Sequence, residues 1–227
     1  MRSSSAASRG EVESSVIYSR LYPYKDKTNT RRGELNVTLR VLDTEEDLLL
    51  VHQWMNEPHV EEFWQQAWSV GRIATYLKDQ IASYHEILIV SVNGFDVAYT
   101  ELYPVAKNAL SECCEHHPSD WGWHLLIGPP EFIGCGLSAA IGHAIVSYLF
   151  AMTDSTQVFC EPDHRNTRMI KYVKRLAHDD IGIIQLGPKT AQLMRCEQLK
   201  FITSLQPNLE IDLTSQRNLK LLQRLKL

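Results

Sequence analysis

Gly122-Trp123-His124-Leu125-Leu126-Ile127-Gly128 is a short, nearly all-apolar run with one imidazole on it, closed by Gly128-Pro129-Pro130. Its length, apolarity and Gly-Pro boundary mark a buried strand. Glu131-Phe132-Ile133-Gly134-Cys135-Gly136-Leu137 follows, two glycines one residue apart that open a helical pattern reaching Phe150. A second apolar run, Gln157 to Glu161, leads into Pro162-Asp163-His164-Arg165-Asn166. Strand, Gly-x-Gly turn, helix and strand make a βαβ unit. Its turn can hold phosphate through backbone N–H groups and the positive end of the helix dipole. The two strands of such a unit are neighbours and ligands collect at their C-terminal ends, so His124 and Asp163 are expected to face one cleft.

The rest of the chain supplies a sheet around this unit. Leu35 to Val41 alternates apolar and polar residues, as a half-buried strand does. Asp43 or Thr44 caps a helix carrying Leu48, Val51, His52 and Met55 on one face, which Pro58 stops. Ser69 caps another with Ile73, Tyr76, Leu77 and Ile81 inward. Glu86–Val92 and Asp96–Tyr103, joined by Asn93-Gly94, read as a hairpin. After the βαβ unit come a helix from Asn166 to about Ala177 and β-prone runs at 181–186 and 190–196. The core order is β-α-α-β-β-β-α-β-α-β-β. Three segments are expected: a flexible basic extension over 1–33 with an added strand at Val16–Tyr24, a domain over 34–206, and a tail over 207–227. Leu219, Leu222 and Leu225 place an amphipathic helix in that tail.

Composition narrows the function classes. A chain of 227 residues, 44% apolar and 22% charged, suits one globular domain. It has no apolar run of the ~18 residues a membrane helix needs, and its Ser- and Arg-rich start lacks the apolar core of a secretory signal. Five cysteines, an odd number with Cys113 and Cys114 adjacent, argue against a disulfide framework and for the reducing cytoplasm. The net charge is −4, and setting the two basic tails aside leaves about −10 on residues 34–206. Such a body disfavours nucleic acid and favours a cationic small molecule. Cys113-Cys114-Glu115-His116-His117 is too crowded to close a tetrahedron, so no metal is expected.

His52-Gln53-Trp54-Met55-Asn56-Glu57-Pro58-His59-Val60, Phe63-Trp64, Ala67-Trp68, His124-Leu125-Leu126-Ile127-Gly128 and Glu161-Pro162-Asp163 form an ordered set. The set resembles the siderophore-biosynthesis branch of the GCN5-related N-acetyltransferases (GNAT), the aerobactin- and mycobactin-type acyltransferases, over roughly residues 35 to 203. The resemblance implies an α/β fold: a central mixed, mostly antiparallel sheet flanked by helices, with the cofactor cleft between the fourth and fifth core strands. It implies transfer of an acyl group, in the first place acetyl from acetyl-coenzyme A, to the hydroxylamine nitrogen of an N-hydroxylated lysine or diamine. The product would be a hydroxamate, and the implied pathway partners are a flavin N-hydroxylase and a siderophore synthetase. The chain itself would be a monomer or homodimer.

The resemblance also assigns roles. It makes His124 and Asp163 catalytic, and Leu126, Ile127, Ile133, Gly134, Cys135, Gly136, Leu137, Ser138 and Asn166 cofactor-binding. Trp54, Asn56, His59, Trp64, Gln65 and Glu101 are the expected acceptor contacts. By itself, a histidine in an apolar strand reads as a core residue satisfied by a neighbour. A hydroxylamine is far less basic than an alkylamine, so its nitrogen is already a free nucleophile at neutral pH, and a neutral His124 beside a carboxylate would suffice. The chain departs from the family pattern at several points. Glu131, Ile133 and Cys135 stand where basic residues are usual. Val173 stands where many members have a thiol-protonating Tyr, with Tyr172 about 100° around the helix. Ala177-His178 replaces a Gly-Phe pair. Two rivals stay open: an acetyltransferase of an ordinary amine such as an antibiotic or polyamine, and a non-catalytic coenzyme A binder.

Overall fold

A computed structural model describes residues 16–25, 32–204 and 211–212. Its strands are β1 (Val16–Lys25), β2 (Arg32–Val41), β3 (Glu86–Val92), β4 (Phe95–Pro104), β5 (Trp121–Ile127), β6 (Gln157–Cys160), β7 (Asp179–Leu186), β8 (Lys189–Glu197) and β9 (Ile211–Asp212). They form one sheet in the order β7-β8-β6-β5-β4-β3-β2-β1-β9. Only β5 with β6 and β1 with β9 run parallel; the other neighbours are antiparallel. The fold class expected from the sequence is the one found. The added strand at the N-terminal side is present as β1, paired with β2 from Tyr18↔Leu39 to Lys25↔Arg32.

The helices are α1 (Leu48–Met55), α2 (Pro58–Trp64), α3 (Val70–Ala82), α4 (Leu137–Met152), α5 (Thr167–Arg175) and α6 (Gln198–Ser204). The first helix starts later than expected, and among the described residues α2 and α6 are two helices more than expected. Asp43 builds a turn before α1, its carboxylate accepting from the N–H groups of Glu45 and Glu46. Pro58 does not merely stop α1 but opens α2, since its missing N–H and fixed φ cost nothing in a first helical turn. The expected tail helix lies outside the described residues.

Strand alternation sorts the core into two layers. Leu88, Val90 and Val92 of β3 meet α4 through Ile141 and Ile145, whereas Ile87 and Ile89 point to the opposite face, against Val51, Ile73 and Leu77 of α1 and α3. A β3 buried on both faces fixes the sheet between two helical layers. Trp54, 2% exposed, carries α1 and α2 against the end of β5. A Cβ on Gly128 would sit 2.2 Å from its ring, so only glycine permits this packing. Gly128→Ala is expected to cost about 1–3 kcal/mol by overpacking, read as a lower denaturant midpoint at unchanged slope.

The sheet opens where it matters. Between β5 and β6, backbone pairing covers Trp121↔Val158 and Gly122↔Phe159 and no more. The space beyond that pairing, next to His124, holds two cavities.

Candidate active site

His124 lies in one row across three strands. Glu101 on β4 is its direct partner in register, and continuing the β5–β6 register by two residues brings Glu161 opposite it. Glu101 Oε2 is 3.1 Å from His124 Nδ1, and Glu161 Oε1 is 2.5 Å from Nε2. Both ring nitrogens therefore face carboxylate oxygens, which only accept, and only the imidazolium donates from both. Burial alone would pull the pKa of His124 down. The Glu161 charge and the hydrogen bonds to both carboxylates outweigh it and push the group up to about 9. The neutral imidazole expected from the sequence is thus replaced by a cation.

The carboxylates are themselves held. Tyr76 and Tyr99 hydroxyls donate to Glu101 Oε1 at 2.5 and 2.7 Å, and Tyr103 donates to Glu161 Oε2 at 2.6 Å. Lys189 Nζ lies 3.5 Å from Glu161 Oε1. Burial would raise both carboxylates, but His124 and these donors win: Glu101 falls below its ordinary value and Glu161 drops to about 2. Three charges and three phenols form one hydrogen-bonded cluster in a low-dielectric setting, where each partner strengthens the next.

Asp163 is elsewhere. Its Oδ1 accepts from the backbone N–H and Nε of Arg165 and its Oδ2 from Nη2 at 2.7 Å, and Arg165 chiefly holds its pKa at about 2. The expected unit of His124 with Asp163 is therefore not a contact pair: the carboxylates that touch the imidazole are Glu101 and Glu161. Two residues further on, beyond Pro162, Asp163 shares only the cavity wall with His124.

That first cavity, about 490 Å³, is lined by Glu101, His124, Glu161, Asp163 and Lys189 together with Tyr76, Gln66 and His85. The second, about 410 Å³, runs along Leu126 and Ile127 to Ile133, Gly134 and Ser138. Phe63, Trp64, Leu125, Asn166 and Met169 line both, so the two cavities meet beside His124. Trp64 stands edge-on to the imidazole with ring centroids 6.1 Å apart.

Of the expected cofactor residues, Leu126, Ile127, Ile133, Gly134, Ser138 and Asn166 line the second cavity. Cys135 and Leu137 point into the core, the thiol donating to Phe132 O, so only their backbone can serve a ligand. Gly134 and Gly136 have φ of 70° and 91°, the left-handed turn that starts α4. Asn166 spends its side-chain oxygen capping α5 at the Met169 N–H. Tyr172 donates its hydroxyl to Ser138 O and so ties α5 to the start of α4, while Val173 is fully buried.

Of the expected acceptor residues, Trp64 and Glu101 line the first cavity. His59 lines the second, its Nε2 2.9 Å from Ile127 O. Trp54, Asn56 and Gln65 line neither. Trp54 is core, Asn56 donates to the carbonyls of His52 and Trp68, and Gln65 ends α2 in a left-handed conformation. Sequence reasoning missed Glu161 as a partner of His124, along with the tyrosines that hold the carboxylates. The spacing Tyr99-x-Glu101-x-Tyr103, one face of one strand, was the available signal.

Residues 43–186 match the acetyltransferase (GNAT) domain family. The chain belongs to that family. Among curated relatives, the lysine N-acyltransferase MbtK of Mycobacterium sp. (strain MCS) is 34% identical over 131 residues, 57% of this chain and 54% of that protein. The chain thus spans about half the length of this relative. The N-hydroxyputrescine acetyltransferase of Acinetobacter baumannii is 30% identical over 169 residues, 74% of this chain and 81% of that one. These relatives fall in the branch that the motif words resemble. Among solved structures, the aminoglycoside acetyltransferase AAC(6')-Ib in complex with coenzyme A superposes with a TM-score of 0.67 at 24% identity, over 73% of this chain and 96% of that one. That likeness shows the fold. None of the helices described is long and apolar enough to cross a membrane.

Proposed function

We propose that the chain is an acyl-coenzyme A-dependent N-acyltransferase that acetylates the hydroxylamine nitrogen of an N-hydroxylated lysine or diamine, making a hydroxamate for siderophore biosynthesis. The meeting of two cavities beside His124 carries this reading, because a two-substrate transfer needs donor and acceptor to reach one point from opposite sides. The names of the relatives support the acceptor class, and the coenzyme A complex of the fold neighbour supports the donor.

In this reading the thioester lies in the second cavity and the acceptor in the first. The hydroxylamine nitrogen attacks the thioester carbonyl without prior deprotonation. His124, already an imidazolium, stabilises the developing oxyanion. As the C–S bond breaks, Nδ1–H leaves its longer hydrogen bond to Glu101 and passes its proton to the departing thiolate, and the proton released by the acylated nitrogen restores it. No separate tyrosine acid is required, consistent with Val173 at the position where other members carry one. A flavin N-hydroxylase would supply the acceptor, a siderophore synthetase would consume the product, and the cytoplasm would be the setting.

The test is release of free thiol from acetyl-coenzyme A with N-hydroxylysine, N-hydroxyputrescine or N-hydroxycadaverine against the parent amines. Release is expected with a hydroxylated amine and at most weakly with its parent. Equal rates would instead point to an ordinary-amine acetyltransferase, and no release with any acceptor to a non-catalytic binder.

A further inference from the structure

Arg168, Lys171 and Arg175 of α5 line the second cavity. Their i, i+3, i+7 spacing stacks them along one edge of the helix, about 10 Å from first to last at 1.5 Å per residue. All three are exposed and none has an ion-pair partner among the described residues. Their neighbours differ: Lys174 is held by Asp180 at 2.8 Å and Arg165 by Asp163 at 2.7 Å. One acidic side chain, Glu62, stands on the same wall.

A basic helix edge is ordinarily solvated surface, and two observations point further. The row lines the same cavity as the left-handed turn at Gly134, and Tyr172, on the same helix, hydrogen-bonds Ser138 O at 2.7 Å, which ties row and turn together. The turn itself, Glu131 to Ser138, contains no Lys or Arg. Backbone amides at a helix start can take one phosphate group there, but any further anionic charge on the same ligand must be met by side chains from another element. Among the residues of this cavity wall, α5 supplies them.

We infer that Arg168, Lys171 and Arg175 read the 3′-phosphate at the nucleotide end of coenzyme A. This rests on the acyl-coenzyme A reading above. A phosphate monoester carries about −1.5 to −2 charge near pH 7 and three acceptor oxygens, which suits a short row of unpaired cations. Phosphopantetheine lacks this group when it is borne by a carrier protein, so the row makes free acyl-coenzyme A the donor.

Titration calorimetry of the full chain with coenzyme A and with 3′-dephospho-coenzyme A tests this without any acceptor or turnover. The unaltered protein is expected to bind coenzyme A at least about tenfold more tightly than the dephospho form, with the preference shrinking as salt is raised. Arg168→Gln/Lys171→Gln/Arg175→Gln should bind the two forms equally while still binding both, its fold checked by a melting curve. Equal binding by the unaltered protein overturns the inference and leaves acyl transfer standing, and needs no variant to read. A preference that survives in the triple variant also overturns it. So does a carrier protein bearing phosphopantetheine that binds as tightly as coenzyme A and loses to the triple variant, for the row would then be a protein-docking edge. Failure of the unaltered protein to bind either form overturns both this inference and the acyltransferase reading.

Discussion

His124→Gln is expected to lower kcat for acetyl transfer to an N-hydroxylated amine by about 10²–10⁴-fold, the range for a positioned acid–base group. Glutamine keeps much of the volume and one N–H donor but carries no charge and no transferable proton. Glu161→Gln should fall into the same range, because Glu161 is the closer of the two carboxylates and the main charge that keeps the ring protonated. The double variant His124→Gln/Glu161→Gln should then be little worse than the worse single one, as residues acting together are not additive. Asp163→Asn should act differently. Its carboxylate is tied to Arg165 and does not reach the imidazole, so its loss is expected to raise KM for the acceptor more than it lowers kcat. Steady-state kinetics with melting curves on all four variants decide the matter. An Asp163→Asn enzyme as slow as His124→Gln, beside a nearly normal Glu161→Gln enzyme, would restore the pairing expected from the sequence and sink the one described here.

The contrast between Glu161 and Asp163 shows how far the sequence could be read. The strand with His124, the Gly-x-Gly turn and the following strand stand out because burial and turn chemistry leave local marks in composition. So the βαβ unit and the row of β strands around it were legible. Which carboxylate of Glu161-Pro162-Asp163 turns toward the histidine is not a local property. It depends on the β5–β6 register, set by pairs such as Gly122↔Phe159 that no single segment encodes. Asn56 and Gln65 differ from expectation for a related reason: both end helices, where the Asn56 amide is committed to the His52 carbonyl and Gln65 turns the chain in a left-handed conformation, its backbone N–H on Glu61 O. Pro58 carried two opposite meanings, helix stop and helix start, and only the packing of Val60 behind it selects the second.

Stability should carry the same cluster's signature in its dependence on pH. The pKa of His124 is raised on folding from 6.5 to about 9, so its contribution is complete below about 6.5 and is lost as pH climbs through about 9. Glu161 moves the other way, from 4.5 to about 2, so its contribution is complete above about 4.5 and is lost as pH falls through about 2. Between these limits, near pH 6, the cluster stabilises the fold most. Glu101 is 2% exposed and is held by His124, Tyr76 and Tyr99 at once. Glu101→Gln removes one of the two charges that compensate a half-buried imidazolium and is expected to cost up to about 3–5 kcal/mol at pH 6. At pH 10 the imidazole is neutral in both proteins, so the same substitution should cost clearly less. Urea unfolding of both proteins at pH 6 and pH 10 measures the difference directly. A penalty that is the same at both pH values would mean that Glu101 supports the fold through packing and its tyrosine hydrogen bonds alone, with no charge held on His124.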